Sequence, residues 1–142
     1  MEDQIPAPGR RPAVEAVNEV VVVIRGRRGF LLRRCGAQER WAGLWDFARF
    51  ALSEAGGRAL AERAEQQAAK DAGLPLRIEE PLGVLKHSVT RYRITLHCFL
   101  ASARAASSSP RPPYAWHGGH QMAELPLSST GRRIWRLVAE RS

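Results

Sequence analysis

Cysteine is scarce in this sequence of 142 residues, where Cys35 and Cys98 are the only two. Two thiols supply neither a disulfide framework nor the four thiolates of a structural zinc or iron–sulfur site. No hydrophobic run approaches the ~20 residues that span a bilayer, and the polar start from Met1 to Arg11 is unlike a secretory signal. The sequence therefore indicates a cytoplasmic protein without a membrane partner.

Acidic residues are too few to balance the basic ones. Fourteen Asp and Glu residues face twenty-two Lys and Arg residues, which gives a formal net charge of +8. Among the basic residues only Lys70 and Lys86 are lysine. Because arginine binds phosphate in a bidentate manner, this composition indicates a polyanionic partner such as nucleic acid. A GC-rich genome that encodes arginine by default is the alternative explanation.

The length favours one domain with a loosely structured start. Ile5–Ala16 contains three prolines and two adjacent arginines, so residues 1–16 are expected to form a linker or arm and residues 17–142 the folded domain. Ala101–Pro113 is rich in Ala, Ser and Pro and is expected to be a mobile loop.

The hydrophobic pattern predicts an α/β layered domain. Val20–Ile24 is a run of β-branched residues, typical of a buried strand, and a glycine-flanked turn leads from it to a second strand at Phe30–Arg34. The other predicted elements are an extended segment at Leu44–Leu52, a helix at Arg58–Ala72 ended by Gly73, strands at Leu82–Val89 and Tyr92–Leu100, and a helix from Ser128 or Ser129 to about Glu140. Alternating apolar residues in the last strand predict a sheet with one buried face.

The end of the first predicted helix resembles the metal-binding helix of Nudix hydrolases. That family carries Arg-Glu-apolar-x-Glu-Glu-x-Gly-apolar, and its glutamates hold a divalent metal ion. Aligning Gly73-Leu74 with the end of the pattern places Gln66 and Gln67 at the Arg and first Glu positions. Lys70 and Asp71 then occupy the other two Glu positions. With one carboxylate left and a cation beside it, we expect a Nudix-like fold without metal, cofactor or catalytic residues.

Three segments resemble the C-terminal domain of MutY-type adenine DNA glycosylases. Trp41–Phe47, with the sequence WAGLWDF, is similar to the family's Trp-x-Gly-Leu-Trp-Glu-Phe-Pro segment. Leu85–Leu96 resembles the segment around the family's Phe-Ser-His loop, and Leu125–Arg133 resembles the entry to its closing helix. The resemblance covers roughly Val20–Val138, and the three segments in this order are more specific than any one of them alone.

The resemblance implies both a fold and a function. The fold would be a Nudix-like α/β/α sandwich, with a mixed sheet flanked by helices. The function would be non-catalytic recognition of 8-oxoguanine opposite adenine during base excision repair. The family's helical catalytic domain, with its iron–sulfur cluster, is absent from this sequence, so the chain would be an excised domain. Its partners would be nucleoid DNA containing the mispair and the N-terminal glycosylase domain of the parent protein.

The lesion-reading residues follow from the chemistry of the oxidised base. Oxidation at C8 changes N7 of guanine from an acceptor to an N–H donor, so the reader needs an acceptor. The resemblance places the family's loop serine at Thr90, which keeps a hydroxyl group, its phenylalanine at Val89 and its histidine at Arg91. Ser88 lies beside them in the sequence. The alternative for Thr90 is a turn hydroxyl that bonds its own backbone.

Three arginines are candidates for contact with DNA phosphates, namely Arg93, Arg132 and Arg133. A solvated basic face is the alternative for them. Two other functions also stay open for the whole chain. One is an active Nudix hydrolase of a modified nucleotide, and the other is a Nudix-like module for protein interaction.

Overall fold

The computed structural model describes residues 14–39, 42–51, 57–103 and 109–141. The strands are β1 (Glu15–Gly26), β2 (Gly29–Arg34), β3 (Trp45–Asp46), β4 (Ala48–Ala51), β5 (Leu76–Val89), β6 (Tyr92–Ala103) and β7 (Tyr114–His117). The helices are α1 (Gly57–Ala72), α2 (Ser129–Arg141) and a short 3-10 helix at Gly119–Gln121. Neither α1 nor α2 is long and apolar enough to cross a membrane.

The strands form one mixed sheet with the order β3-β2-β1-β6-β5. Strand β1 lies parallel to β6, while β1–β2 and β5–β6 pair antiparallel. Strand β4 also pairs with β1, and β7 with β2. Helix α1 covers one face of the sheet and α2 covers the other. The predicted α/β/α sandwich is therefore confirmed.

Strand β1 is buried on both sides, which explains its unbroken apolar sequence. Val20, Val22 and Ile24 pack in the cluster that contains the apolar face of α1, whereas Val21 and Val23 pack in the cluster that contains α2. All five side chains are fully buried. The expectation of a single buried face was wrong, because both faces of the sheet carry a helix.

Helix α1 was predicted almost to its observed ends. Leu60, Ala64 and Ala68 recur at four-residue spacing and are buried against the sheet. Gly73 follows the helix with a φ of +74°, and its N–H donates to the Ala69 carbonyl at 2.9 Å. This left-handed position after a helix favours glycine, because other residues are strained there.

Helix α2 begins after a serine cap, as the sequence predicts. Ser128 Oγ accepts a hydrogen bond from the Gly131 N–H at 2.9 Å, which satisfies one of the unpaired amides of the first turn. Ile134 and Val138 are buried, and Leu137 is half-buried against the same cluster. These residues form the inward face of α2.

Several strand limits differ from the sequence-based expectation. Strand β1 starts at Glu15, because residues 15–18 pair in parallel with residues 92–95 of β6. Ala101–Ala103 continues β6 and does not belong to the expected loop. Residues 1–13 of the arm, residues 104–108 of the loop, Trp41 and Leu52 lie outside the described residues.

Candidate nucleic-acid interface

A two-residue turn, Thr90–Arg91, joins β5 to β6 and exposes both side chains. Thr90 has a φ of 47°, in the left-handed region that a β-branched residue rarely adopts. Such strained residues are concentrated at binding sites and active sites. The turn is therefore a candidate contact point on geometric grounds as well as by resemblance.

The Thr90 hydroxyl is bonded within the turn. Its Oγ1 donates to the main-chain carbonyl of Val89 at 2.7 Å, which is the alternative role that the sequence left open. In this structure the proton is therefore directed to the backbone, and the role of Thr90 in reading the lesion stays a prediction. The oxygen lone pairs remain at the exposed tip and can accept a hydrogen bond.

The other predicted lesion-reading residues are divided between the two faces of the sheet. Ser88 pairs with Arg93, and Val89 pairs with Tyr92. Since side chains alternate along a strand, Ser88 and Arg93 lie on the α1 side, whereas Val89 and Tyr92 lie on the α2 side. The Arg91 guanidinium carbon is 5.9 Å from the centre of the Tyr92 ring, a cation–π contact that orients it at the turn.

A recess of about 230 Å³ lies on the α2 side, next to this turn. We call it the acidic recess. It is lined by Glu19, Arg33, Cys35, Glu39, Asp46, Arg49, His87, Val89 and Ile94. The sequence analysis missed its carboxylates, which come from separate strands and loops; only Asp46 lies in a segment singled out by its pattern.

One arginine balances two carboxylates in the acidic recess. Arg49 Nη2 lies 3.0 Å from Asp46 Oδ2, and Arg49 Nη1 lies 3.9 Å from Glu19 Oε1. Burial raises the pKa of both carboxyl groups, and the Arg49 guanidinium opposes that shift. Arg49 also donates to the Thr130 hydroxyl, which ties the recess to the start of α2.

A second ion pair lies at the rim of the recess. Arg33 donates to both carboxylate oxygens of Glu39 at 2.7 Å. These bonds lower the pKa of Glu39 to about 2. Burial raises the pKa of the nearby Cys35 thiol. A buried thiol that resists ionisation is a poor nucleophile, so the recess offers no activated cysteine.

Helix α1 carries an amide and a cation, Gln67 and Lys70, at two of the three positions where Nudix hydrolases hold metal, and Gln66 at the arginine position. Gln66, Gln67 and Lys70 are exposed, and with Arg63 they line a surface recess of about 310 Å³, called the α1 recess below. Asp71 is the one carboxylate left in the pattern, and its Oδ2 accepts a hydrogen bond from the Tyr114 hydroxyl at 2.6 Å.

A divalent metal ion does not fit these residues. Magnesium and calcium need several anionic or carbonyl oxygens, whereas the α1 recess presents two cations and two neutral amides. Within the described ranges, no group of three or more His, Cys, Asp or Glu side chains could hold a metal ion. We therefore assign no metal-dependent step to this site.

The three arginines predicted to contact phosphate differ in their surroundings. Arg132 is half-buried and donates to the carbonyls of Met122 at 2.9 Å and Leu125 at 2.6 Å, so two of its donors are used within the chain. Arg133 is exposed and donates to the Lys86 carbonyl at 2.9 Å. Arg93 is exposed on β6. The phosphate assignment stays a prediction for all three.

Solved structures with this fold include both a C-terminal domain of MUTYH and MutT proteins. The C-terminal domain of mouse MUTYH, crystallised in complex with human PCNA, is 19% identical, with a TM-score of 0.68 and coverage of 88% of each chain. A MutT protein from Methanosarcina mazei Go1 is 18% identical, with a TM-score of 0.69 over 93% of this chain and 99% of that one. A MutT Nudix hydrolase from Burkholderia pseudomallei is 18% identical, with a TM-score of 0.66 over 87% of this chain and 98% of that one.

These likenesses show the fold and do not separate the two kinds of protein. No curated protein matches the sequence. The family model described as NUDIX domain matches residues 19–137, which is most of the chain. Together with the mixed sheet between two helices, this match shows that the chain belongs to the NUDIX domain family.

Proposed function

We propose that this chain is a non-catalytic NUDIX domain of a MutY-type adenine DNA glycosylase, and that it helps to recognise 8-oxoguanine opposite adenine. The observation that carries the proposal is the set of side chains that α1 has at the metal-binding positions of the Nudix pattern. Gln67 and Lys70 replace two metal-binding glutamates, and Asp71 is hydrogen-bonded to Tyr114. A chain that keeps the fold but lacks the metal ligands suits a binding role better than hydrolysis.

The β5–β6 turn supports the lesion-reading part of the proposal. The Thr90 hydroxyl donates to Val89, so its exposed oxygen is an acceptor towards any ligand. The oxidised base offers N7–H to such an acceptor, whereas normal guanine offers a lone pair that repels it. One hydrogen bond of this kind contributes about 0.5–1.5 kcal/mol, which is about a 2- to 10-fold preference.

The other parts of the parent protein are inferred only from the resemblance to MutY-type adenine DNA glycosylases. Adenine excision would belong to an N-terminal glycosylase domain that carries an iron–sulfur cluster. The partners of this chain would then be that domain and the duplex that contains the mispair. The positive charge of the chain, +8, favours the duplex as a partner.

The test compares duplexes that differ only in the lesion. The chain should bind a duplex with an 8-oxoguanine:adenine pair more tightly than the same duplex with a guanine:adenine pair. Thr90→Val keeps the side-chain shape and should reduce that preference, while Arg91→Ala should weaken both duplexes equally. Equal binding of the two duplexes by the unaltered chain would contradict the proposal. A preference lost in Arg91→Ala but kept in Thr90→Val would reverse the two roles.

The hydrolase alternative is tested on the same preparation. Incubation with Mg²⁺ or Mn²⁺ and a panel of nucleotides, including oxidised dGTP, should give no metal-dependent turnover. Turnover on the order of 1 s⁻¹ would instead identify an active enzyme. A variant with Gln67→Ala and Lys70→Ala is the control, because it shows whether any activity arises at the pattern on α1.

A further inference from the structure

Part of the sheet on the α1 side, next to the β5–β6 turn, is covered by no described element. We call it the open face, and it consists of Ala16 and Asn18 of β1, Val84, Lys86 and Ser88 of β5, and Arg93, Thr95 and His97 of β6. Arg93 lies on the central strand of these three and is exposed, as is Ala16 beside it. Helix α1 reaches only the far end of the open face, where Leu60, Val84 and His97 line a recess of about 310 Å³.

Two cations and two hydroxyl groups alternate on the open face. Ser88 lies opposite Arg93 and Lys86 lies opposite Thr95, so each cation has a hydroxyl group across the strand pair. Diagonal neighbours on one face are about 7–8 Å apart, which is the relation between Arg93 and Lys86. Neither cation has an ion-pair partner among the residues that the structure describes. Both charges are therefore available to an anion from outside the chain.

The neighbouring carboxylates are directed away from the open face. Glu15 and Glu19 alternate towards the α2 side of β1, and Glu19 lines the acidic recess there. On α1, Glu65 accepts a main-chain N–H of β5 at 2.7 Å. Glu62 is exposed and lies about 200° around the helix from buried Leu60, which places it away from the sheet. Within the described ranges, the open face thus carries no carboxylate.

The β5–β6 hairpin therefore separates two sides of different charge. On the α2 side, the three carboxylates of the acidic recess are matched by two arginines that form ion pairs with them. On the α1 side, Arg93 and Lys86 have no such partners. At about 3.3 Å per residue along a strand, these two cations lie roughly 7–13 Å from Thr90. A polyanion that contacts the turn is therefore attracted to the α1 side of the hairpin.

We propose that the open face binds the phosphate backbone of a DNA duplex, with Lys86 and Arg93 as the cationic contacts and Ser88 and Thr95 as neutral donors. Basic and hydroxyl side chains are among the groups that contact DNA phosphates. The choice of DNA rests on the proposed function, and the charge complementarity of the face supports it. The backbone then lies on the α1 side of the hairpin, and the acidic recess stays clear of phosphates.

The first experiment measures the salt dependence of binding to a duplex without a lesion. Each phosphate contact contributes about 0.9 to the slope of log affinity against log salt, so Lys86→Gln with Arg93→Gln should reduce the slope by about 1–2. Arg27→Gln with Arg28→Gln removes the same charge from the exposed β1–β2 turn, at the other end of β1, and should leave the slope unchanged. An unchanged slope in the open-face variant, or an equal reduction in both variants, would overturn the site.

These outcomes are separate from those for lesion recognition. A lower slope in the open-face variant supports the site even if the unaltered chain shows no preference for 8-oxoguanine, which would contradict the proposed function alone. An unchanged slope with the preference intact would contradict the site alone. Absence of binding to any duplex would overturn both.

The second experiment locates the duplex by NMR, with methyl groups on the two sides of the hairpin as probes. On titration with the unmodified duplex, the methyl resonances of Ala16 and Thr95 should shift more than those of Val89 and Ile94, which line the acidic recess. Equal or larger shifts in the recess would overturn the orientation. No shift in either pair would overturn the DNA assignment and leave the open face to a protein partner, for which Val84, 55% exposed, offers an apolar contact.

Discussion

Thr90 should make the β5–β6 turn less stable than glycine would. Its φ of 47° lies in the left-handed region, which costs a residue with a Cβ about 1–2 kcal/mol. In two-residue hairpin turns with a left-handed first residue, glycine is the favoured residue at that position. We therefore expect Thr90→Gly to be more stable than Thr90→Ala, the reverse of the usual order in a strand.

The size of the effect follows from three contributions. Both substitutions remove the hydrogen bond from the hydroxyl to the Val89 carbonyl, so that loss cancels in the comparison. Glycine avoids the strain of about 1–2 kcal/mol but loses about 0.5–1 kcal/mol through its freedom in the unfolded chain. The free energy of unfolding of the glycine variant should exceed that of the alanine variant by about 0.5–1 kcal/mol. Each kcal/mol corresponds to about 2–4 °C in Tm.

Urea unfolding at pH 7 of the two variants measures this difference directly. The matched control is Ser88→Gly against Ser88→Ala, because Ser88 is exposed in the extended backbone of β5. There alanine should be the more stable residue. An alanine variant at position 90 as stable as the glycine variant, or more so, would refute the strain argument. Both variants also lack the Thr90 hydroxyl. If both lose the preference for the duplex that contains 8-oxoguanine, the strained residue is also the one whose hydroxyl is needed for recognition.

Two predictions concern the acidic recess and its rim. Arg49→Met should lower the free energy of unfolding at pH 7 by about 3 kcal/mol, because it leaves buried Asp46 and half-buried Glu19 without their cation. Burial raises the pKa of both carboxyl groups, so the loss should shrink as the pH is lowered from 7 and they take up protons, and a loss independent of pH would contradict this account. Glu39→Gln should destabilise by less than about 1 kcal/mol at pH 7, since the Arg33–Glu39 pair is partly exposed. The pKa of Glu39 falls from 4.5 to about 2 on folding, so its contribution is present above pH 4.5 and is lost as the pH falls towards 2, where variant and unaltered chain should unfold alike.

The parts of the fold that follow local rules were predicted from the sequence. The β-branched run of β1, the alanine spacing of α1 and the position of Gly73 each depend on neighbours within a few residues. The first part of β1 did not follow such a rule. Glu15–Asn18 has no apolar pattern and is a strand because it pairs with residues 92–95, far along the chain.

The acidic recess was harder to predict because its residues come together only in the folded chain. Glu19 lies in β1, Asp46 in β3 and Arg49 in β4, so no spacing in the sequence indicates their contact. The internal hydrogen bonds of Arg132 were not predicted, for a related reason. Its partners are main-chain carbonyls, which every residue carries and no sequence pattern reveals. Arg63, by contrast, lies three residues before Gln66, and helical spacing would have placed it in the α1 recess.

The location of the α1 recess explains how its charge can differ from that of a metal site without loss of the fold. Leu60, Ala64 and Ala68 hold α1 on the sheet, and they are buried. Arg63 and Lys70 point from a different side of the same helix and are exposed. Substitution on the exposed side leaves the packed side unchanged, so this helix can exchange carboxylates for cations at little cost in stability. The exposed side chains of α1 can therefore differ from a metal-binding set while the core that positions the β5–β6 turn stays the same.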